Sequence, residues 1–461
     1  MARFTLPVSS LARIVVVLIL TFSLGATWGS PVRAEDRLSL IRDAEIERTI
    51  RSYAQPLFGA ASLDVDAVKI HLVNDGRINA FVAGGLNLFI NTGLLEASDT
   101  SNEVIGVIAH ELGHIEGGHL IRRKEAMEHA TAEAILAMVL GTVVAAAGGG
   151  EAGAVIYQGG SEIAQRGLLR YSQSQESAAD QAGVRYLDAT GQSARGLLKL
   201  FGKLEDLDLL SSSRQSPYTR THPLTRERIR FVEHHVAASQ FSDAPDPPDR
   251  LQAHARMVAK LVGFLETPER ALKFYPVTDK SLAGRYARAV AYHRKADLPS
   301  ALAEIDSLIG ESPNDPFFHE LKGQILFEQG QIKNAIEPYR RSVELAPREP
   351  MLRAELGRVL IESGDETALP VAIENLRLAA AAEPTYASHW HFLGVALGRH
   401  GDLAESSLAF AERAILNGHG PEAQFHAQKA VSGLTAGSPQ WLRAQDILNE
   451  ADNIKNAAEQ R

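Results

Sequence analysis

The chain of 461 residues contains no cysteine. That absence excludes disulfides, a thiolate nucleophile, a Cys-ligated zinc site and lipidation at a cysteine. Positive charge is also short: 47 Lys and Arg stand against 56 Asp and Glu, a formal net charge of −9. Without residues 1–34, which hold three Arg and no acid, the balance deepens to −12. Such acidity disfavours nucleic acid and anionic lipid as main partners. Long apolar runs are few. Residues 134–150 are uncharged and rich in Ala, Gly and Val, but the 17-residue run closes on three glycines. A full membrane span takes about 20 residues. The run reads as a tightly packed helical hairpin of small residues. The alternative is a mobile flap over the active site, or one that dips into a membrane and gives peripheral contact there.

What is present begins with an export signal. Arg3 and Arg13 accompany the apolar stretch Ile14 to Ala26, and Pro31-Val32-Arg33-Ala34 offers small residues at the cleavage-critical positions. Cleavage is expected after Ala34; the alternative, an uncleaved anchor, would need a longer apolar run. An exported chain without cysteine fits the bacterial periplasm.

The chemistry lies in His110-Glu111-Leu112-Gly113-His114, an HExxH motif. Val104, Ile105, Ile108, Leu112 and Ile115 recur at apolar helical spacing, and Thr100-Ser101-Asn102-Glu103 has capping-box form. Residues four apart share a helix face, so His110 and His114 offer two corners of a zinc tetrahedron. Glu111, beside the first, can hold the attacking water and take its proton as general base.

The third ligand is not in the usual metzincin place. That pattern puts a His six residues after His114, where this chain has Leu120. His119 falls one residue short, points off the ligand face and reads as a surface histidine. Glu176 is the best candidate, within Ser174-Gln175-Glu176-Ser177-Ala178-Ala179-Asp180. Asp180, one turn on, can hydrogen-bond a ligand imidazole and fix its tautomer. Ala178-Ala179 allows close helix contact. His222, in Thr221-His222-Pro223, can donate to a transition-state oxyanion or fill the fourth metal position. Arg228, six residues later, is taken with Glu111 and His222 as a catalytic residue.

Around the motif, strands are predicted over 68–73, 78–82 and 86–90, with turns at 74–77 and at Gly84-Gly85. They are expected to form a small antiparallel sheet beside the metal helix. Asn79-Ala80-Phe81 reads as an edge onto which an extended substrate adds; core packing is the other reading of Phe81. Residues 161–189 read as one long helix ending before Gly191. The Pro- and Asp-rich stretch 243–248 reads as a stiff linker.

An internal repeat follows. Gly323, Gly357 and Gly394 mark one position, Gly330, Gly364 and Gly401 a second, and Pro313, Pro347 and Pro384 a third. The steps are 34 and then 37, the extra three residues falling near Glu366 to Leu369. One step back of 34 finds Ala289, Ala296 and Ala301. This period, with small residues at helix crossings, is that of tetratricopeptide repeats. Three to four repeats span about 279–417, with degenerate helices over 251–275 and 421–453. Stacked helix pairs form a groove that binds peptide or protein; a rigid spacer is the alternative.

Together, Asn79-Ala80-Phe81, Thr92-Gly93-Leu94-Leu95, the HExxH helix, Glu176 to Asp180, Thr221-His222-Pro223 and Arg228 resemble the gluzincin metallopeptidases of the HtpX/CAAX-prenyl-protease type. The export signal and the repeats make the resemblance closest to the BepA-like (YfgC-like) periplasmic group. The resemblance implies a mainly α fold: a gluzincin-type domain with a small sheet, then an α-solenoid. Expected boundaries are 1–34 for the signal peptide, 35–242 for the metallopeptidase domain, 243–250 for the linker and 251–461 for the repeats. It implies one zinc per chain on His110, His114 and Glu176, with Glu111 as base. His222 is implied as a switch-like fourth ligand that keeps the enzyme latent. It also implies clients among unfolded or misassembled outer-membrane proteins, near the barrel-assembly machinery. The competing function is a non-proteolytic tetratricopeptide chaperone or scaffold with a structural zinc. Glu111 favours the enzyme, because a structural site has no need of it.

Overall fold

The computed structural model describes residues 39–65, 67–119, 172–210 and 217–459. The expected signal peptide, the segment 134–150 and the first part of the predicted 161–189 helix lie outside them. Among the described residues no helix is long and apolar enough to cross a membrane.

The chain opens with strand β1 (Leu40–Ile41) and helix α1 (Ala44–Ala60), capped by the Asp43 side chain on Ile46 N. Strands β2 (Lys69–Val73), β3 (Ala80–Ala83) and β4 (Asn87–Asn91) follow, in the sheet order β1-β2-β4-β3. All three predicted strands are present within two residues. Their pairing differs from the expected antiparallel sheet. β3 and β4 form the antiparallel hairpin, Ala80 opposite Ile90, but β2 runs parallel to β4, Lys69 opposite Asn87. The reason lies in the turn at 74–77. It does not close a hairpin but anchors at the far end of β4, where Gly93 N and Thr92 Oγ1 donate to Asp75 O at 2.9 and 3.1 Å. Gly93 permits this, since a Cβ there would run into the backbone of Gly76 and Arg77. β3 is thereby carried to the outer side of β4.

Helix α2 (Thr92–Ala97) leads to α3 (Ser101–Glu116), the predicted metal helix. Val104, Ile105, Val107, Ile108, Ala109 and Leu112 are fully buried. α3 is therefore buried along most of its length, packed against β3, α1 and the helices that follow. The capping box forms only in part. Thr100 is the N-cap but its side chain makes no cap bond, and Glu103 accepts from Asp99 N at 3.2 Å instead. Helix α4 (172–189) crosses α3, followed by α5 (Arg195–Leu210), α6 (Pro217–Thr221) and α7 (Arg226–Ala238). Two part-buried bonds close this core: Asn102 Nδ2 donates to Ser193 O at 2.9 Å and Gly196 N donates to Asn102 Oδ1 at 2.7 Å.

Residues 243–247 run into α8 (Pro248–Leu265), so Pro248-Asp249-Arg250 already form a first helical turn. One face of α8 joins the core around α1 and α3 through Met257 and Leu261. Five helix pairs then stack from Leu282 to Glu459. The repeat arithmetic holds in space. A Cβ on Gly323, Gly357 or Gly394 would come 2.7, 2.6 or 2.9 Å from Tyr339, Leu376 or Phe410 of the paired helix. Gly330, Gly364 and Gly401 take φ of +76°, +74° and +99°, and Ala296, one repeat earlier, takes +59°. The three extra residues form a 3₁₀ turn, Glu366–Ala368.

Candidate metal centre

α3 and α4 can touch because neither has a side chain where they cross. A Cβ on Gly113 would lie 2.7 Å from Ala179 O, and one on Gly183 would lie 3.2 Å from His110 N. This contact brings Glu176 over the HExxH face. Its carboxylate oxygens stand 3.3 Å from His110 Nε2 and 3.4 Å from His114 Nε2. His222 enters from the end of α6, its backbone N donating to Tyr218 O at 2.7 Å and its ring stacked on Tyr218 at 4.6 Å. His222 Nδ1 lies 3.2 Å from Glu176 and 3.4 Å from His110 Nε2. One ligand atom each from His110, His114, Glu176 and His222 falls within a 4.8 Å cluster, and all four residues are buried.

Asp180 and Arg228 stand behind this cluster. His110 Nδ1 meets Asp180 Oδ1 at 2.8 Å. Arg228 donates to Asp180 through Nε (2.6 Å) and Nη2 (2.9 Å), and its Nη1 lies 3.0 Å from Glu176. Arg228 Nη1 also donates to Pro223 O at 3.1 Å, which ties the His222 segment to the same carboxylates. Arg228, expected among the catalytic residues, is buried against Asp180 and Glu176. Asn79 is buried, with Oδ1 lacking a hydrogen-bond partner among the described residues. Ala80 is buried on β3, and Phe81 stacks on Phe89 at 4.9 Å.

His119 is the residue that the sequence reading misplaced. It is buried, not at the surface, and its Nδ1 lies 2.8 Å from His114 Nδ1. α3 ends at Glu116, and Gly118, at φ +58°, turns the chain back. The Gly117-Gly118 pair was the available signal for that turn.

The electrostatics favour a cation among these groups. Burial opposes ionisation of Glu176, yet hydrogen bonds from His110, His114 and His222 hold it well below the usual carboxylate range. Burial likewise opposes charge on His110, but Asp180 and Glu176 outweigh it and push it up to about 9. Burial pushes His114 down to about 3. Glu111 is fully buried, with neither oxygen hydrogen-bonded among the described residues and His222 Nε2 3.5 Å away. Burial raises its pKa, with His222 and His110 working against that rise.

Residues 41–236 match peptidase family M48. The chain carries an M48 peptidase domain. That domain makes it a metallopeptidase, and α3 and α4 of the M48 domain hold its HExxH and downstream Glu. The chain is 26% identical over 383 residues to the beta-barrel assembly-enhancing protease of Yersinia pestis, covering 82% of this chain and 78% of that one. It is 24% identical over 334 residues to the protein of the same name from Escherichia coli K12, covering 70% and 67%. Among solved structures, YrrB, described as a TPR protein with an unusual peptide-binding site, aligns over 42% of this chain and 91% of its own. That alignment has 19% identity and a TM-score of 0.29.

Proposed function

We propose that the protein is a zinc-dependent endopeptidase of the bacterial periplasm, acting on misassembled envelope or outer-membrane proteins that its repeat array holds. The observation that carries this reading is the buried four-residue cluster with the Glu111 carboxylate at its side, not hydrogen-bonded among the described residues and 3.5 Å from His222 Nε2. Three imidazoles and a carboxylate are a donor set suited to zinc. Zinc bound by His110, His114 and Glu176 would supply the Lewis acid that polarises the scissile carbonyl and acidifies the attacking water. Glu111 takes the proton of that water and passes it to the leaving amine. Asp180 and Arg228 hold His110 and Glu176 in place. β3 has only β4 as a sheet neighbour among the described residues, so its outer edge at Asn79 to Phe81 can pair with an extended substrate. The names of the Yersinia and Escherichia relatives support a role in beta-barrel assembly, and the proposed partner of the repeats is the assembly machinery.

Replacing Glu111 with Gln is the direct test. Peptide cleavage should fall by 10³-fold or more, while one zinc per chain is kept. Cleavage at the unmodified rate, with contaminating protease excluded, would sink the enzyme reading. Chelation of the metal should likewise stop cleavage, with activity returning on zinc.

His222 decides between two states of the site. In the position described it completes a closed ligand set, the form a structural zinc site takes. A non-proteolytic scaffold is the second reading on that ground. As a latch, His222 must leave before water and substrate can enter. His222→Ala should then raise cleavage of a good substrate several-fold. A fall in cleavage would assign His222 to stabilising the transition state instead.

A further inference from the structure

A neutral imidazole that binds metal through Nε2 carries its proton on Nδ1, and that proton needs an acceptor. For His110 the acceptor is the Asp180 carboxylate. His114 Nε2 faces the cluster, 3.1 Å from His110 Nε2, so its Nδ1–H points away from it. There it meets His119 Nδ1 at 2.8 Å, the two rings edge to face at 76°. The backbone is shaped for this contact. Gly118 supplies the left-handed turn, and Gly117 leaves the space that the His119 ring occupies; a Cβ there would collide with that ring. Gln175 Nε2 donates to His119 O at 3.3 Å, which fastens the turn to α4 one residue before Glu176.

We infer that His119 is the positioning residue of the second metal ligand: as a neutral ring protonated on Nε2, it accepts the His114 Nδ1–H and holds that imidazole in its metal-binding tautomer. This rests on the zinc reading given above.

The test uses the full chain and zinc alone, with affinity read by competition against a chromophoric chelator. The unmodified protein should bind one zinc tightly and Glu176→Gln should not; if the unmodified protein binds none, the zinc reading fails first. Given binding, His119→Phe fills the space without an acceptor and should weaken affinity about 10- to 100-fold. His119→Gln offers a carbonyl oxygen and should recover most of that loss. Thermal midpoints of the metal-free proteins should stay close together. A Phe variant within twofold of the unmodified chain overturns the inference. So does a Gln variant as weak as the Phe variant, which would leave only packing. A measurement without any variant stands beside these. Imidazole ¹⁵N–¹H spectra of the zinc-loaded chain should show His119 neutral and protonated on Nε2; a charged ring or the other tautomer overturns the assignment.

Discussion

Asp180 serves two partners with one carboxylate. Oδ1 meets His110 Nδ1 and Arg228 Nη2, while Oδ2 meets Arg228 Nε. Burial opposes its charge, yet Arg228 and His110 hold it below the usual carboxylate range. Asp180→Asn keeps the shape, removes the charge and leaves a buried guanidinium short of a counter-ion. Zinc affinity should fall about 10- to 100-fold. Stability should fall by about 3 kcal/mol or more, read from denaturant melts, because breaking a buried ion pair strands the remaining charge. A melt unchanged within about 0.5 kcal/mol would show that Arg228 finds another partner. That His110 and His114 share a face, and Glu176 and Asp180 another, was legible in sequence because each pair stands four residues apart on a helix; that the two faces meet rested on the small residues Ala178-Ala179 and on the resemblance. The position of His119 was not legible, because its place depends on where α3 stops. Continued as a helix it would point outward; the turn at Gly118 sends it back.

At the scale of elements, the α3–α4 crossing sets the distance between the HExxH face and Glu176. Gly113→Ala would put a methyl 2.7 Å from Ala179 O and 2.8 Å from Ala179 Cα. Both are backbone atoms, so the helices must part. Loss of zinc binding and of cleavage is expected, with a lower melting temperature. Gly202 in α5 is the control: nothing lies within 4 Å of an added Cβ, and the site is exposed. Gly202→Ala should gain about 0.5–1 kcal/mol from helix propensity. Equal effects from the two would remove the crossing argument. The HExxH helix and the repeat helices were readable because apolar and small residues recur at fixed steps. The sheet was readable in its strands but not in its order. Nothing local in Asn74 to Arg77 reveals that Gly93, sixteen or more residues on, receives the turn.

At the scale of the molecule, α8 ties the M48 domain to the repeats through buried charge. Lys260, 1% exposed, has Nζ 2.7 Å from Asp43, 3.2 Å from Glu45 and 3.6 Å from Glu320. Arg256 pairs with Glu45 and Asp315, and Tyr286 OH donates to Glu45 at 2.6 Å. Arg42 reaches Glu383 at 2.6 Å and lies 4.5 Å over the Tyr386 ring. Burial raises the Glu320 carboxyl to about 7; Lys260 works against that rise, and Asp43 and Glu45 add to it. An acid whose folded pKa is raised binds its proton more tightly folded than unfolded. The stability it contributes is present below about 4.5 and is lost as pH rises through about 7. Glu320→Gln should therefore raise the melting temperature at pH 8 more than at pH 5. The opposite order would show that Lys260 depends on that charge. No pattern in the sequence announces this network, because its members stand up to 341 residues apart and each reads locally as a solvated helix charge.

The network also bears on the order in which the molecule can be completed. Arg42, Asp43 and Glu45 are synthesised before nearly all the rest of the fold, yet Tyr286 comes 241 residues after Glu45 and Glu383 comes 341 after Arg42. The first turn of α1 cannot reach its final contacts until most of the array exists. The apolar face of α1, from Ile46 to Phe58, packs in the same core as the HExxH helix, so only the polar contacts at its first turn wait for the array.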